Sequence, residues 1–335
     1  MAALQKEFEK FHEAIKLKRY DENSDLRDKR DMLFRELRTA IKDEKIPGTE
    51  TKLTFREINQ GSYAMGTGIK PANDDYDIDI GAIFNIENDE YNSADLKKLV
   101  QDKLAVGNRT VKYNRPCLTV EYKREDYHVD LAVYSANNDD IHIAWGKEHS
   151  AEKIWYKSEP EELTQWVADV ANDSDVSMQF RRCVRYLKKW KENKFNSSGN
   201  ECPPSIGITI QTRKAFSELS AYSKDNDLTT LITIVKYIKN SFVRQYKDGE
   251  NLYCISINLP VQPYKNVYYK MSFKQQDYFY HKTSELLELL EAVDAETSEH
   301  AASKMLRKIF GNDFELLEDA RATDAAPYVV TGQNA

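Results

Sequence analysis

The sequence predicts an α+β protein with a mixed β-sheet in its amino-terminal half and helices in its carboxy-terminal half. Between residues 53 and 144, short runs alternate apolar and polar residues, which is typical of strands. Beyond residue 155, apolar residues recur at every third or fourth position, as on one face of a helix. Gly (12) and Pro (9) are scarce among the 335 residues, which also favours helix.

The amino-terminal half is expected to begin with two helices. Apolar residues at helical spacing predict the first, and Asn23-Ser24-Asp25 can cap the second, which Pro47-Gly48 ends. A short helical stretch is expected after Gly61-Ser62, between the first two strands. The helices expected in this half cover residues 3–20, 23–45 and 92–106. The strands expected cover residues 53–58, 76–84, 110–113, 117–122, 128–134 and 141–144.

The carboxy-terminal half is expected to consist of helices followed by a tail. These helices cover residues 160–172, 176–194, 204–222, 227–246, 273–294 and 298–310. We therefore predict three units: a core of residues 1–155, a helical domain of residues 156–317 and a flexible tail of residues 318–335. The first two helices can pack across onto the helical domain.

Composition and charge exclude several classes of protein. The formal net charge is −7, whereas a sequence-blind nucleic-acid binder is usually basic, so a long polynucleotide is not expected as an obligate partner. The four cysteines are scattered and form no Cys-x-x-Cys motif, which fits a reducing cytosol. No apolar run approaches the ~20 residues of a membrane span, and the polar amino terminus is unlike a signal peptide. We expect a cytoplasmic protein without a membrane partner.

Two aspartates on one predicted strand are the strongest indication of chemistry. Asp77 and Asp79 are two residues apart in an Ile-rich run, so their side chains share one face of the strand. Neighbouring carboxylates repel each other unless a cation lies between them, and magnesium favours carboxylate oxygens. Asp130 alternates with apolar residues on a later strand and can complete a triad. The alternatives are an exposed strand edge for the pair and a surface hairpin position for Asp130.

Phosphate-binding residues are predicted on both sides of this acidic strand. Gly61-Ser62 follows a strand directly, and glycine admits a phosphate to the backbone while serine offers a hydroxyl. A simple turn with a helix cap is the alternative for this pair. Seven Lys or Arg fall within residues 181–194, where Lys188 lies on a basic flank; a solvated basic face is the alternative. Ser205 then begins the next helix with its hydroxyl placed for phosphate.

Together these motifs carry a family resemblance. Gly61-Ser62, the Asp-x-Asp pair and the lone Asp130 resemble the polymerase-β-type nucleotidyltransferase superfamily. Arg-Tyr-Leu-Lys-Lys-Trp at 185–190, followed by Pro-Pro-Ser at 203–205, is similar to the branch that contains the bacterial cyclic-oligonucleotide synthases (CD-NTases). The resemblance covers roughly residues 5–310. It implies a nucleotidyltransferase sheet core and a helical domain, with a cleft between two lobes.

The resemblance also implies a reaction and a role for each residue. A ribose hydroxyl would attack the α-phosphate of a nucleoside triphosphate, ATP or GTP among others, and release pyrophosphate. Asp77, Asp79 and Asp130 would bind two Mg²⁺ ions, with Mn²⁺ as an alternative, and Asp130 would help deprotonate the hydroxyl. Gly61, Ser62, Lys188 and Ser205 would bind the donor nucleotide. The product would be a cyclic di- or trinucleotide second messenger in bacterial antiphage (CBASS) defence.

Two other functions and one partner remain open from the sequence. The same enzyme class can transfer a nucleotide to a tRNA, a protein or a small molecule, and a nucleotidyltransferase fold can also serve as a non-catalytic scaffold. The Cys/His zinc insertion of the animal cyclic GMP–AMP synthases has no counterpart here, so no obligate DNA activator is expected. The resemblance also implies a ubiquitin-conjugation-like operon partner acting at Ala335; the alternative is a tail without a role.

Overall fold

The computed structural model describes residues 4–17, 24–71, 76–123, 127–137, 140–196 and 200–319. Most of the predicted tail, residues 320–335 with Ala335 at its end, lies outside the described residues. The helices are α1 (Gln5–Ile15), α2 (Ser24–Ala40), α3 (Gly61–Ala64), α4 (Ser93–Leu104), α5 (Pro160–Ala168), α6 (Ser174–Lys194), α7 (Ser205–Glu218), α8 (Asp227–Asn240), α9 (Phe273–Ala295) and α10 (Glu299–Phe310). The strands are β1 (Phe55–Asn59), β2 (Tyr76–Phe84), β3 (Arg109–Tyr113), β4 (Leu118–Tyr122), β5 (Tyr127–Asn137), β6 (Asp140–Trp145), β7 (Ile154–Lys157), β8 (Phe242–Lys247) and β9 (Glu250–Ile255).

A mixed sheet forms the amino-terminal half, which confirms the predicted α+β class. The strand order is β1-β2-β5-β4-β3, and β6 and β7 extend the sheet from the far end of β5. β2 and β5 run parallel, whereas the other neighbouring strands pair antiparallel. We call residues 24–157 the sheet lobe.

The two faces of the sheet have different partners. On one face, Ile78 and Ile80 of β2 and Val129 and Leu131 of β5 are fully buried in a core with α2 and α4. Successive strand residues point to opposite faces, so Asp77, Asp79 and Asp130 lie on the other face. Farther along that face is a small separate cluster around Ile83 and Tyr134. The acidic residues therefore lie where α2 and α4 do not cover the sheet.

The helical lobe, which we define as α1 together with residues 158–319, has its own core. Helix α1 belongs to this lobe in space, because Phe8 and Phe11 pack against Tyr186, Phe310 and Phe314. The domain bounds at residues 155 and 317 stay a prediction. Among the described residues, none of the helices is both long enough and apolar enough to cross a bilayer.

The structure corrects the sequence prediction in several places. The helix expected over residues 227–246 ends at Asn240, and residues 242–247 form β8 of a hairpin with β9. Asp248 and Gly249 connect these strands with φ of +53° and +87°, as in the Asp-Gly turns that favour hairpins over helix. Strand β7 was not predicted; it pairs with β6 at the edge of the sheet. The second helix is also shorter than expected, ending at Ala40.

Candidate functional site

Strand pairing brings the acidic side chains together. In the parallel register of β2 and β5, Asp79 lies opposite Asp130 and Asp77 lies opposite His128. Ligand atoms of Asp77, His128 and Asp130 all lie within 4.8 Å of one another. His128 Nε2 is 3.3 Å from Asp77 Oδ1, so this histidine belongs to the cluster.

The electrostatics of the cluster fit a divalent cation. Burial, followed by the charges of Asp77 and Asp130, raises the pKa of Asp79 to about 7. Burial also raises the pKa of Asp130, and the hydrogen bond from Thr119 opposes this shift. A positive charge among these carboxylates would favour their ionised forms. Carboxylate oxygens with an imidazole nitrogen form a donor set that Mg²⁺ or Mn²⁺ can use.

Gly61 allows the turn before α3 to lie directly against the acidic strand. Its φ is +68°, and a Cβ added there would lie 1.9 Å from Asp79 Oδ2. Only glycine fits such a position without displacing the carboxylate. The preceding Gln60 fixes the turn, because its side chain donates to the carbonyl of Ile80 (3.1 Å) and accepts from the hydroxyl of Tyr134 (2.7 Å).

The helical lobe contributes a basic wall opposite the carboxylates. Lys188 of α6 is buried, and its Nζ donates to the carbonyl (2.9 Å) and hydroxyl (3.3 Å) of Thr67. Burial and the charges of Lys191 and Arg185 lower the pKa of Lys188 to about 7. Lys191, one turn later, donates to Ser205 Oγ at 2.6 Å. An anion at this wall would lie beside both ammonium groups and be stabilised by their positive charge.

A cleft of about 310 Å³ joins the acidic strand to the basic wall. Six of the seven residues predicted from the sequence line it: Gly61, Ser62, Asp77, Asp79, Lys188 and Ser205. The seventh, Asp130, lies beside Asp79 through the strand register. These seven are therefore neighbours in space, while their individual roles stay predictions.

Four residues of the site were missed by the sequence analysis. Thr67 and Lys191 line the cleft, and Thr119 and His128 contact its carboxylates. Lys191 could have been found, because it follows Lys188 by one helical turn in the basic run. Thr67 and Thr119 carry no signal of their own, since they reach the site through a loop and an antiparallel register.

Comparison with known proteins finds similar sequences and similar folds. Residues 55–134, which contain Gly61 and all three aspartates, match the family model of the nucleotidyltransferase domain of DncV-like cyclic GMP-AMP synthases. A cyclic GMP-AMP synthase of Escherichia albertii is 29% identical over 206 residues, which cover 58% of this chain and 44% of that protein. The chain thus matches less than half the length of this curated relative.

Solved structures of Vibrio cholerae DncV have the same fold. DncV, described as a cyclic AMP-GMP synthase and a prokaryotic cGAS homologue, superposes with a TM-score of 0.71 at 17% identity, over 95% of this chain and 100% of DncV. Its complex with the linear intermediate 5′ pppA(3′,5′)pG gives a TM-score of 0.70 at 18% identity, over 90% of this chain and 93% of that one.

The family model assigns residues 55–134 to the nucleotidyltransferases. Within that class, residues 55–134 form a DncV-like nucleotidyltransferase domain, and the resemblance to the bacterial CD-NTases, drawn from the motifs alone, is confirmed.

Proposed function

We propose that this protein is a metal-dependent synthase that joins nucleoside triphosphates into a cyclic di- or trinucleotide. One observation carries the proposal: Asp77, Asp79 and Asp130 converge on one face of two in-register strands, beside a cleft whose other wall is basic. This arrangement pairs a cation site with an anion site, as the transfer of a nucleotide from a triphosphate requires.

The donor triphosphate is assigned to the side of the cleft with Ser62, Lys188, Lys191 and Ser205. Lys188 and Lys191 are within one helical turn of each other, so both can reach consecutive phosphates. In the structure their ammonium groups donate to Thr67 and Ser205, and these hydrogen bonds hold them toward the cleft. The ammonium and hydroxyl groups on this wall would stabilise the negative charge that develops on the departing pyrophosphate.

The acidic side of the cleft acts on the acceptor. An acceptor ribose hydroxyl placed near Asp130 forms a new bond from its oxygen to the α-phosphorus, while the bond from that phosphorus to the bridging β-phosphate oxygen breaks. The hydroxyl proton passes to the Asp130 carboxylate, and pyrophosphate leaves. Two Mg²⁺ ions, when bound by Asp77, Asp79 and Asp130, would supply positive charge to the entering and leaving oxygens. A second transfer in the same cleft closes the ring.

The biological setting proposed is bacterial antiphage (CBASS) defence in the cytoplasm. It rests on the similarity to DncV-like proteins and on the family resemblance of the motifs. We also propose that the carboxyl terminus at Ala335 is the site at which a ubiquitin-conjugation-like partner acts. Deleting the last residues and finding unchanged coupling to such a partner would remove that part of the proposal.

The direct test is incubation with all four nucleoside triphosphates and Mg²⁺ or Mn²⁺. We expect pyrophosphate release and small products that resist phosphatase, whose mass identifies bases and ring size. Asp77→Asn should lower the rate on the order of 10³-fold, because losing a metal ligand costs several kcal/mol in the barrier. Asp102→Asn, on the exposed face of α4, is the matched control and should leave the rate unchanged.

Two outcomes would contradict the proposal. Label appearing on tRNA, protein or a small acceptor instead of in free cyclic products would show a transferase with a different acceptor. Product formation that survives in Asp77→Asn would show that the acidic cluster is not the catalytic site.

A further inference from the structure

We propose that Thr119 is a positioning residue for Asp130, with Asn114 aligning its hydroxyl, so that a three-residue relay fixes the orientation of the catalytic carboxylate. This inference rests on the proposed function. Thr119 lies directly opposite Asp130 in the antiparallel pair β4–β5, and the two side chains therefore share the face that carries the acidic cluster.

The hydrogen bonds of the relay have a fixed direction. The Thr119 hydroxyl donates to Oδ1 of Asp130, and Asn114 Nδ2 donates to Thr119 Oγ1 at 2.8 Å. A hydroxyl has one proton. Because Thr119 already accepts from Asn114, its rotation is restricted, and its single proton remains directed at the carboxylate.

The relay is anchored in the core of the sheet lobe. Lys97 of α4 is fully buried, and its ammonium group donates to the carbonyls of Asn114 (2.7 Å), Arg115 (3.0 Å) and Ala144 (3.2 Å). These bonds hold the turn between β3 and β4, from which Asn114 reaches Thr119. Thr119 is itself 8% exposed, so water has little access to replace the relay.

The relay restricts the orientation of the Asp130 carboxylate. The torsion about the last bond of an aspartate side chain is broad and has no sharp preference of its own. A hydrogen bond to Oδ1 selects one setting of that torsion and so fixes the direction in which the carboxylate faces a metal ion and the acceptor hydroxyl. Without it, the carboxylate would have to be ordered in each catalytic cycle.

Removing the Thr119 hydroxyl should affect kcat more than KM for the triphosphate. The donor triphosphate is assigned to Ser62, Lys188 and Lys191, none of which touches Thr119, so KM for the triphosphate should change less than about twofold. Loss of a group that orients a metal ligand typically costs about 10–100-fold in metal affinity or activity. Thr119→Val keeps the branched shape and removes the hydroxyl. It should lower kcat about 10–100-fold and weaken Mn²⁺ binding severalfold.

The experiment compares four variants of the full chain. Thr119→Ser retains the hydroxyl and should stay within about threefold of the wild-type kcat and Mn²⁺ affinity. Asn114→Ala frees the hydroxyl without removing it and should give a smaller loss than Thr119→Val. Thr110→Val, at an exposed position of β3, is the control and should change nothing. Thermal unfolding checks that each variant is folded, and electron paramagnetic resonance measures Mn²⁺ binding without nucleotide.

The readouts separate this inference from the proposed function. If the wild-type protein made no nucleotide product, the proposed function would fail, but the Mn²⁺ titration would still test the relay. The relay is refuted if Thr119→Val binds Mn²⁺ and turns over as the wild type does, or if Thr119→Ser is as impaired as Thr119→Val. Should Thr119→Val not fold, Asn114→Ala against Thr119→Ser makes the same comparison.

Discussion

Gly61 is a residue whose identity is determined by two independent constraints. It has a positive φ, and it lies against the carboxylate of Asp79. We predict that Gly61→Ala lowers kcat/KM at least about 100-fold, because a 1 Å misplacement in a site can cost that factor. Steady-state kinetics with the triphosphate that the wild type uses measures this.

Gly107 offers a matched control for that substitution. Its φ of +66° is nearly the same, but a Cβ there would meet nothing within 4 Å. Gly107→Ala should therefore cost about 1 kcal/mol of stability from backbone strain and leave the activity intact. Equal activity losses in the two variants would mean that strain, and not contact with Asp79, explains the effect.

Single residues also mark the limit of prediction from sequence. Asp77 and Asp79 were identifiable because charged residues in an Ile-rich strand need partners. His128 was not, since an imidazole two residues from Asp130 gives no sign that it lies opposite Asp77. Thr119 is an unremarkable strand residue until the register places it against Asp130. The residue types indicate that the chain has a functional site, whereas the strand register determines which side chains lie beside the aspartates.

His12 provides a pH-dependent test of stability. Its Nε2 faces Arg185 at 3.0 Å, and burial together with that charge lowers the pKa of His12 from 6.5 to about 4. Above pH 6.5 the imidazole is neutral in both states. As the pH falls toward 4, His12 is protonated in the unfolded chain but stays neutral in the folded protein. The free energy of unfolding therefore falls by up to about 3 kcal/mol.

His12→Gln should reduce this acid sensitivity. Denaturant unfolding at several pH values between 4 and 7 gives the free energy of unfolding, and its slope against pH is compared between the variant and the wild type. His281→Gln, at a side chain that is 59% exposed, is the control and should retain the wild-type slope. An unchanged slope in His12→Gln would show that other groups cause the loss of stability in acid.

At the scale of elements, α6 connects the two lobes. Its Arg185 donates to the carbonyls of Gly66 (2.7 Å) and Gly68 (2.9 Å), and Lys188 on the next turn donates to Thr67 between them. One helix of the helical lobe thus holds three consecutive residues of the sheet lobe. The loop over residues 66–68 forms part of the cleft wall beside Ser62, so its position affects the donor site.

We predict that Arg185→Met lowers both stability and nucleotide affinity. It removes the buried donor from both carbonyls, of which that of Gly68 still accepts from the Leu17 amide at 3.2 Å, and should cost about 1–3 kcal/mol of unfolding free energy. The loosened loop should raise KM for the triphosphate with a smaller effect on kcat. Denaturant unfolding and steady-state kinetics measure the two effects.

Arg213 supplies a control with the same chemistry in a different place. It also donates to two backbone carbonyls, those of Trp166 and Asp169, but within the helical lobe. Arg213→Met should lower stability by a smaller amount and leave KM unchanged. If both variants raised KM alike, loss of stability alone would explain the effect of Arg185→Met.

Helices and strands could be predicted where the apolar pattern extends over many residues. The prediction failed where that pattern is short. The central strands and α6 were found from their patterns. Strand β8 was read as the end of a helix, because Phe242 follows Ile238 by four residues and so continues the helical spacing of apolar residues. The Asp248-Gly249 turn was the available signal, and tertiary pairing outweighed the local helical preference.

At the scale of the whole molecule, the site depends on both lobes. The carboxylates belong to the sheet lobe, whereas Lys188, Lys191 and Ser205 belong to the helical lobe. Sequence analysis could place both sets in one cleft only because the family resemblance supplied the arrangement. Periodicity alone leaves the relative position of two lobes undetermined, since each lobe has a core of its own.

A ligand that touches both lobes should stabilise the molecule as a whole. At 100 times its Kd, a triphosphate bound only to the folded state contributes about 2.7 kcal/mol, which for a chain of this size raises Tm on the order of 4 °C. Ca²⁺ in place of Mg²⁺ should allow binding while slowing turnover during the thermal unfolding scan.

Lys191→Met removes a contact from the helical side and should reduce the ligand-induced rise in Tm. Lys236→Met, at an exposed lysine paired with Glu291, should retain it. Equal shifts in both variants would place the triphosphate outside the cleft, and the assignment of its phosphates to α6 would be wrong.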